Sequence, residues 1–156
     1  MNNKFLSYQK EADGLLKPEL SFDIVKRKIF VGGKDAVLYF VDGFIKDEVF
    51  EKILEYLFTL PEEKVEKTKD MDEFSKFGLP YVETDASYDI LTAAKSVLCG
   101  PAMLIVDGIE GQLIIDTRTY PVRGIEEPSK DRSLRGSRDG FVETLMFNTA
   151  LLRRRI

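Results

Sequence analysis

The chain has 156 residues, 44% of them hydrophobic and 32% charged, enough for one domain with a substantial core and too short for two ordinary ones. No apolar run approaches the roughly 18 residues that a membrane-spanning helix needs, the start Met1-Asn2-Asn3-Lys4 lacks the pattern of a secretory leader, and a single cysteine, Cys99, excludes an internal disulfide. Histidine is absent, which removes Ser-His-Asp and Cys-His catalysis, histidine-based zinc sites and the usual neutral-pH general base, so no enzymatic activity is expected.

In chain order, residues 4–16 allow a short helix, limited by Gly14 and Pro18. Phe22 to Val31 is rich in strand formers, with Val25, Arg27, Ile29 and Val31 on one side. The bases at 26, 27 and 28 mark it as an edge strand, because charged edges resist sheet-to-sheet association. Gly32-Gly33-Lys34-Asp35 signals a hairpin turn. Ala36 to Val41 is a continuous apolar run, the pattern of a strand buried on both faces. Asp47 is expected to cap the next helix, with Glu48 in its first turn. Val49, Phe50, Ile53, Leu54, Leu57 and Phe58 form its apolar face, and Pro61 marks its end.

Residues 62–78 are highly charged and read as a solvated connection with a helical turn around Met71 to Phe77. A short strand is expected at Tyr81 to Thr84. Ser87 or Asp85 is expected to cap a second helix whose apolar side is Ile90, Leu91, Ala94, Val97 and Leu98, with Gly100 as its stop. Ala102 to Val106 is a second buried strand, and Asp107-Gly108-Ile109-Glu110-Gly111 turns the chain into its hairpin partner, Leu113 to Ile115.

Helix-linked strands and two hairpins predict an α/β fold, a mixed β-sheet flanked by helices. Parallel pairing of the two buried strands would require a right-handed crossover. Asp42 and Asp107 would then share one sheet edge, where α/β proteins usually bind ligands. Such a pair could serve a small-ligand site or hold Mg²⁺ for phosphoryl transfer; the alternative is that each aspartate simply opens an Asp-Gly turn. No Walker loop, dinucleotide fingerprint or Cys/His metal spacing is present in the sequence, so no cofactor and no resident metal are expected. Cys99, at a helix C-terminus, reads as a small packing residue.

The net charge of −4 is unevenly spread. Residues 1–116 hold 14 basic and 22 acidic side chains, and residues 117–156 hold 9 and 5, with eight of the nine arginines. Arg118, Arg123, Arg132, Arg135 and Arg138 could face nucleic acid, anionic lipid or a carboxylate-rich surface. Nucleic acid is disfavoured, because the chain is acidic and Tyr120 is nearly alone as an aromatic there. Interleaved Glu126, Glu127, Asp131, Asp139 and Glu143 favour arginine–carboxylate pairing at an interdomain or partner interface. Asp139 can cap a last helix with Phe141, Val142, Leu145, Met146, Thr149 and Leu152 on its apolar side and Arg153 to Arg155 at its end. The expected organisation is an α/β subdomain over 1–128, an arginine-rich linker over 129–138, and an amphipathic helix over 139–156 that opens a second, truncated subdomain.

These same residues carry a family resemblance. Asp116 to Arg123, Ile125-Glu126-Glu127-Pro128, Arg135 to Thr144, Asn148 to Leu151 and Arg153-Arg154-Arg155-Ile156, together with Phe30 to Ala36 and Asp42-Gly43, resemble the GerA family of spore germination proteins. The front half is most similar to the family's stage V sporulation protein AF branch. Gly124 stands where many members are expected to carry serine. The resemblance implies a multi-pass protein of the spore inner membrane with a soluble amino-terminal region of two α/β subdomains on the cytoplasmic (spore core) side. This chain would be the first subdomain plus the opening helix of the second. It also implies membership of a nutrient-responsive receptor complex, or of a related complex that promotes germination and ion release, with homo-oligomers in the intact protein. No catalytic residues transfer from the family. A signalling and assembly role is therefore expected.

Overall fold

The two-residue turn at Gly32-Gly33 joins β1 (Ile24–Val31) to β2 (Lys34–Val41), with Val31 paired to Lys34. Both glycines have positive φ, +51° and +74°, which suits the tight hairpin turns that glycine favours. α1 (Asn3–Leu16) precedes this hairpin; α2 (Asp47–Thr59), α3 (Glu62–Glu66), α4 (Met71–Gly78), β3 (Thr84–Ser87), α5 (Ile90–Leu98), β4 (Ala102–Val106) and β5 (Gln112–Ile115) follow it. These elements come from a computed structural model, which describes residues 3–79, 83–118, 141, 142 and 148. The chain divides into two compact units, Met1–Thr119 and Tyr120–Ile156. All ten elements lie in the first unit. In the second, the Asn148 side chain brackets the backbone of Val142, accepting from its N–H at 2.8 Å and donating to its carbonyl at 2.7 Å.

The five strands lie in the order β1-β2-β4-β5-β3, and every neighbouring pair is antiparallel. The α/β architecture with flanking helices is as expected, and β1 is an edge strand. The sheet is antiparallel throughout and not mixed as expected, and the two buried strands do not take the parallel pairing considered for them: Ala36 faces Val106 and Tyr39 faces Met103 in an antiparallel ladder. The reason lies in the connection. The chain leaves β2, crosses three helices to the far edge at β3, and only then returns through α5 to β4. The extra strand turns β4 to enter from the opposite end.

Helices cover both faces, which explains the continuous apolar runs. Ala36, Leu38 and Phe40 of β2 join Leu104 and Val106 of β4 in a core with Ile53, Leu57, Val65, Met71 and Phe74 from α2, α3 and α4. Val37, Tyr39 and Val41 join Met103 and Ile105 in a second core with Phe5, Ala12 and Leu16 of α1 and Ala94 and Val97 of α5. Tyr39 is fully buried and donates its hydroxyl to Asp13 at 2.8 Å. Burial first, and then that bond, push its phenol above the ordinary range.

Several local expectations are corrected. Asp47 lies inside the first turn of α2, where its charge suits the helix dipole, and Lys46 occupies the cap position without a side-chain cap bond. Ser87 and Asp85 are held in β3, paired with Gln112 and Ile114, so Asp89 caps α5 by accepting from the N–H groups of Leu91 and Thr92. β3 begins at Thr84, where the expected strand was to end, and residues 80–82 lie outside the described residues. The charged stretch 62–78 is two short helices, each pinned by few apolar side chains: Val65, Met71 and Phe74 are all fully buried. Asp70 caps the second by accepting from Glu73 N–H at 2.8 Å, while Glu73 accepts from Lys69 N–H at 3.2 Å.

Candidate functional site

The arginine-rich connector begins as a continuation of β5, and the first unit grips its opening residues. Asp116 N–H donates to the carbonyl of Glu83 at 2.9 Å, and Lys46 N–H donates to the carbonyl of Thr117 at 3.1 Å. Arg118 forms an antiparallel bridge with Ile45. Backbone groups on two sides therefore fix the path of residues 116–118, from the lead-in to β3 and from the lead-in to α2. Thr117 is 2% exposed, and its hydroxyl has no hydrogen-bond partner among the described residues.

Arg118 adds a side-chain clasp. Its Nε donates to Asp116 Oδ1 at 2.8 Å, its Nη2 pairs with Oδ2, and its backbone N–H reaches Oδ1 at 3.2 Å. This is the forked guanidinium–carboxylate geometry that lysine cannot supply. The hydrogen bonds from Arg118 hold the Asp116 carboxyl below its ordinary range. The arginine stem lies over Gly100, which has a φ of +112°. A β-carbon at Gly100 would sit 2.9 Å from Arg118 Cγ and 3.5 Å from Phe44 Cδ2. Gly100 thus serves twice, as the stop of α5 and as the seat of the arginine stem. Beside the clasp is a cleft of about 410 Å³, lined by Glu83, Thr84, Asp85, Pro101, Ile114, Asp116 and Arg118. Among these described residues, three carboxylates stand against one guanidinium.

Of the expected interface residues, Arg118 is the one described here. Arg123, Glu126, Glu127, Arg132, Arg135, Arg138, Asp139 and Glu143 lie outside the described residues. Among the described residues Arg118 pairs with Asp116, two residues back in an Asp-Thr-Arg triplet; the acids expected to pair with the arginines lie outside the described residues.

The tentative pair Asp42 and Asp107 does not converge. Antiparallel pairing of β2 with β4 sends their C-terminal ends in opposite directions, so the two carboxylates are separated by about seven residues of ladder, roughly 24 Å. Asp42 N–H donates to Asp23 at one end, and Asp107 N–H donates to Asp35 at the other. Each aspartate opens a turn at a glycine with positive φ, Gly43 and Gly108. Neither a shared ligand site nor a shared Mg²⁺ site can form from them. Among the described residues, no group of three metal-ligating side chains is assembled, and no helix is long and apolar enough to cross a membrane.

Comparison with known proteins bears directly on this arrangement. The profile of the Bacillus/Clostridium GerA spore germination protein family matches residues 14–156. Stage V sporulation protein AF of Bacillus subtilis (strain 168) is 33% identical over 136 residues, covering 87% of this chain and 27% of that protein. Spore germination protein KA of the same organism is 31% identical over 143 residues, covering 87% of this chain and 25% of its own length. The chain therefore spans about a quarter of the curated relatives it matches. In fold it is similar to the N-terminal domain of the A subunit of the Bacillus megaterium spore germinant receptor GerK3, with a TM-score of 0.54 at 16% identity over 74% of this chain and 93% of that one.

Proposed function

From its membership of the GerA family of spore germination proteins, to which this chain belongs, we propose that it is a non-enzymatic signalling and assembly domain of a spore inner-membrane germination protein. The observation that carries this reading is the anchored connector. Two backbone hydrogen bonds, the Ile45–Arg118 bridge and the Arg118–Asp116 clasp fix the direction in which the chain leaves the sheet. A connector fixed this way transmits a displacement of the domain to whatever follows it, where a slack linker would absorb it. The anchor joins the lead-in to α2 with the end of β5, so a partner that shifts either element acts on the connector.

In this reading the intact protein works with other subunits of a germination complex, and the domain faces the spore core. The arginines that follow the anchor provide planar, bidentate donors for carboxylates on a neighbouring domain or subunit. Charge reversal at Arg135 or Arg138 in the intact protein is expected to impair complex assembly and nutrient-triggered germination while leaving this domain folded. Co-purification of the complex and the germination rate of the variant spores are the readouts, with circular dichroism of the domain as the control. Normal assembly and normal germination in both variants would remove the assembly role.

A further inference from the structure

We propose that the corner between α1 and β1, together with the outer face of β1, docks this domain on a bilayer of anionic lipid. The three most exposed large apolar side chains among the described residues all fall within residues 20–30: Phe22 at 101%, Leu20 at 83% and Phe30 at 66%. Singly, such residues are ordinary surface; clustered, they mark a surface that meets an apolar partner.

The corner is held by the backbone. Leu20 N–H and Ser21 N–H both donate to the carbonyl of Lys17, at 2.9 and 3.1 Å, and Lys17 itself has a φ of +49°, uncommon outside glycine. At the other end Asp42 N–H donates to the carbonyl of Asp23 at 2.7 Å. Leu20 and Phe22 are thus carried on a turn fixed at both ends. Along β1 side chains alternate, so Lys28 and Phe30 lie on the face that carries Lys26. From Phe22 to Phe30 is at most about 26 Å, a line with apolar side chains at its ends and cations between them.

The charge of this strip opposes that of the domain. Residues 17–30 hold four bases and two acids, against 14 bases and 22 acids in residues 1–116. Lys17, Arg27 and Lys28 are exposed, and none forms an ion pair among the described residues. Lys26 pairs with Asp13 at 2.5 Å, and Asp13 also accepts from the buried Tyr39 hydroxyl. Lys17 is therefore the cation available to a phosphate in the cleft of about 530 Å³ that it lines with Leu20 and Glu19. At 101% exposure Phe22 has no flanking wall, so it serves as a wedge and not as part of a peptide pocket. Apolar side chains that enter the acyl boundary, beside cations that meet headgroup phosphates, are the chemistry of attachment to an anionic membrane surface. The inference goes beyond the assembly role and fails separately from it, since Arg135 and Arg138 are tested by germination and the corner by vesicle binding.

The test is co-sedimentation of the 156-residue chain with vesicles of phosphatidylglycerol and, separately, of phosphatidylcholine. Binding to the anionic vesicles is expected, with little to the zwitterionic ones, and it falls as salt is raised. K17E/K28E should weaken it about thirtyfold or more, about fivefold for each base lost. L20S/F22S should weaken it at unchanged charge. R153E/R154E/R155E, which reverses more charge but spares the corner, should weaken it less than K17E/K28E. The chain has no tryptophan, so F22W places a single reporter at a fully exposed position. Its emission should shift to the blue on anionic vesicles, while that of Y88W, beside β3 at the opposite sheet edge, should not. A chain that stays in the supernatant overturns the proposal. So does an F22W emission that ignores the vesicles, binding that both corner variants leave intact, or losses that follow total charge instead of position.

Discussion

Arg118 and Asp116 show how much of a connector's direction can rest on two side chains. The clasp is partly exposed, at 36% and 27% of the side chains, so its electrostatic contribution is modest, about 0.5–1 kcal/mol. Its effect on acid stability has a definite sign. The carboxyl is held below its ordinary range in the folded chain, so the stabilisation is present above the unfolded value of about 3.9 and is lost as pH falls through the lower folded value. Chemical denaturation of D116N should therefore show a loss of about that size at neutral pH, and the difference from the unmodified chain should vanish in strong acid. A gap that persists undiminished at low pH would assign the loss to packing. The clasp was half legible in the sequence. Arg118 stood out as the first of the arginines, but an acid two residues away draws less notice than the longer acidic run behind it. Gly100, whose absent side chain gives the arginine stem its seat, read only as a helix stop.

Among the elements, periodicity revealed the buried strands, the two long helices flanking them and both hairpins, because their apolar patterns are dense. It showed less where a few buried residues are diluted by charge: the helical turn expected over Met71 to Phe77 is α4, but its burial was not legible. α4 has acidic Asp72 and Glu73 in its first turn and Lys76 in its last, yet Phe74 is fully buried and packs tilted on Phe77, with ring centroids 5.4 Å apart. Met71, Phe74 and Phe77 recur every three residues, enough for the helical turn expected over Met71 to Phe77 but too few to reveal how deeply it is buried. The weight of Phe74 is clear from the structure: Gly78 lies so close under the Phe74 ring that a β-carbon there would come within 2.5 Å of it. F74A should cost about 3–5 kcal/mol in denaturant unfolding, several times the value for an exposed linker residue. A change under about 0.5 kcal/mol would make the segment the solvated connection that its composition suggests. Strand direction was illegible for a different reason. A four-residue strand, Thr84–Ser87, with no fully buried side chain reverses the entry of β4, and with it the relation between Asp42 and Asp107.

At the scale of the first unit as a whole, two helical layers enclose an antiparallel sheet, and three chain segments meet where the connector leaves: the approach to α2, the lead-in to β3 and the end of β5. The family assignment could be read from the connector residues themselves, whereas the reason they leave in one direction needed the fold. The most direct measurement of that account is germination of spores whose intact protein carries R118D alone or the swapped pair D116R/R118D. The account predicts slowed germination for R118D, where two carboxylates repel across the clasp, and recovery toward the normal rate for the swapped pair, with both domains folded by circular dichroism. Normal germination of R118D, or a swapped pair no better than R118D, would contradict it.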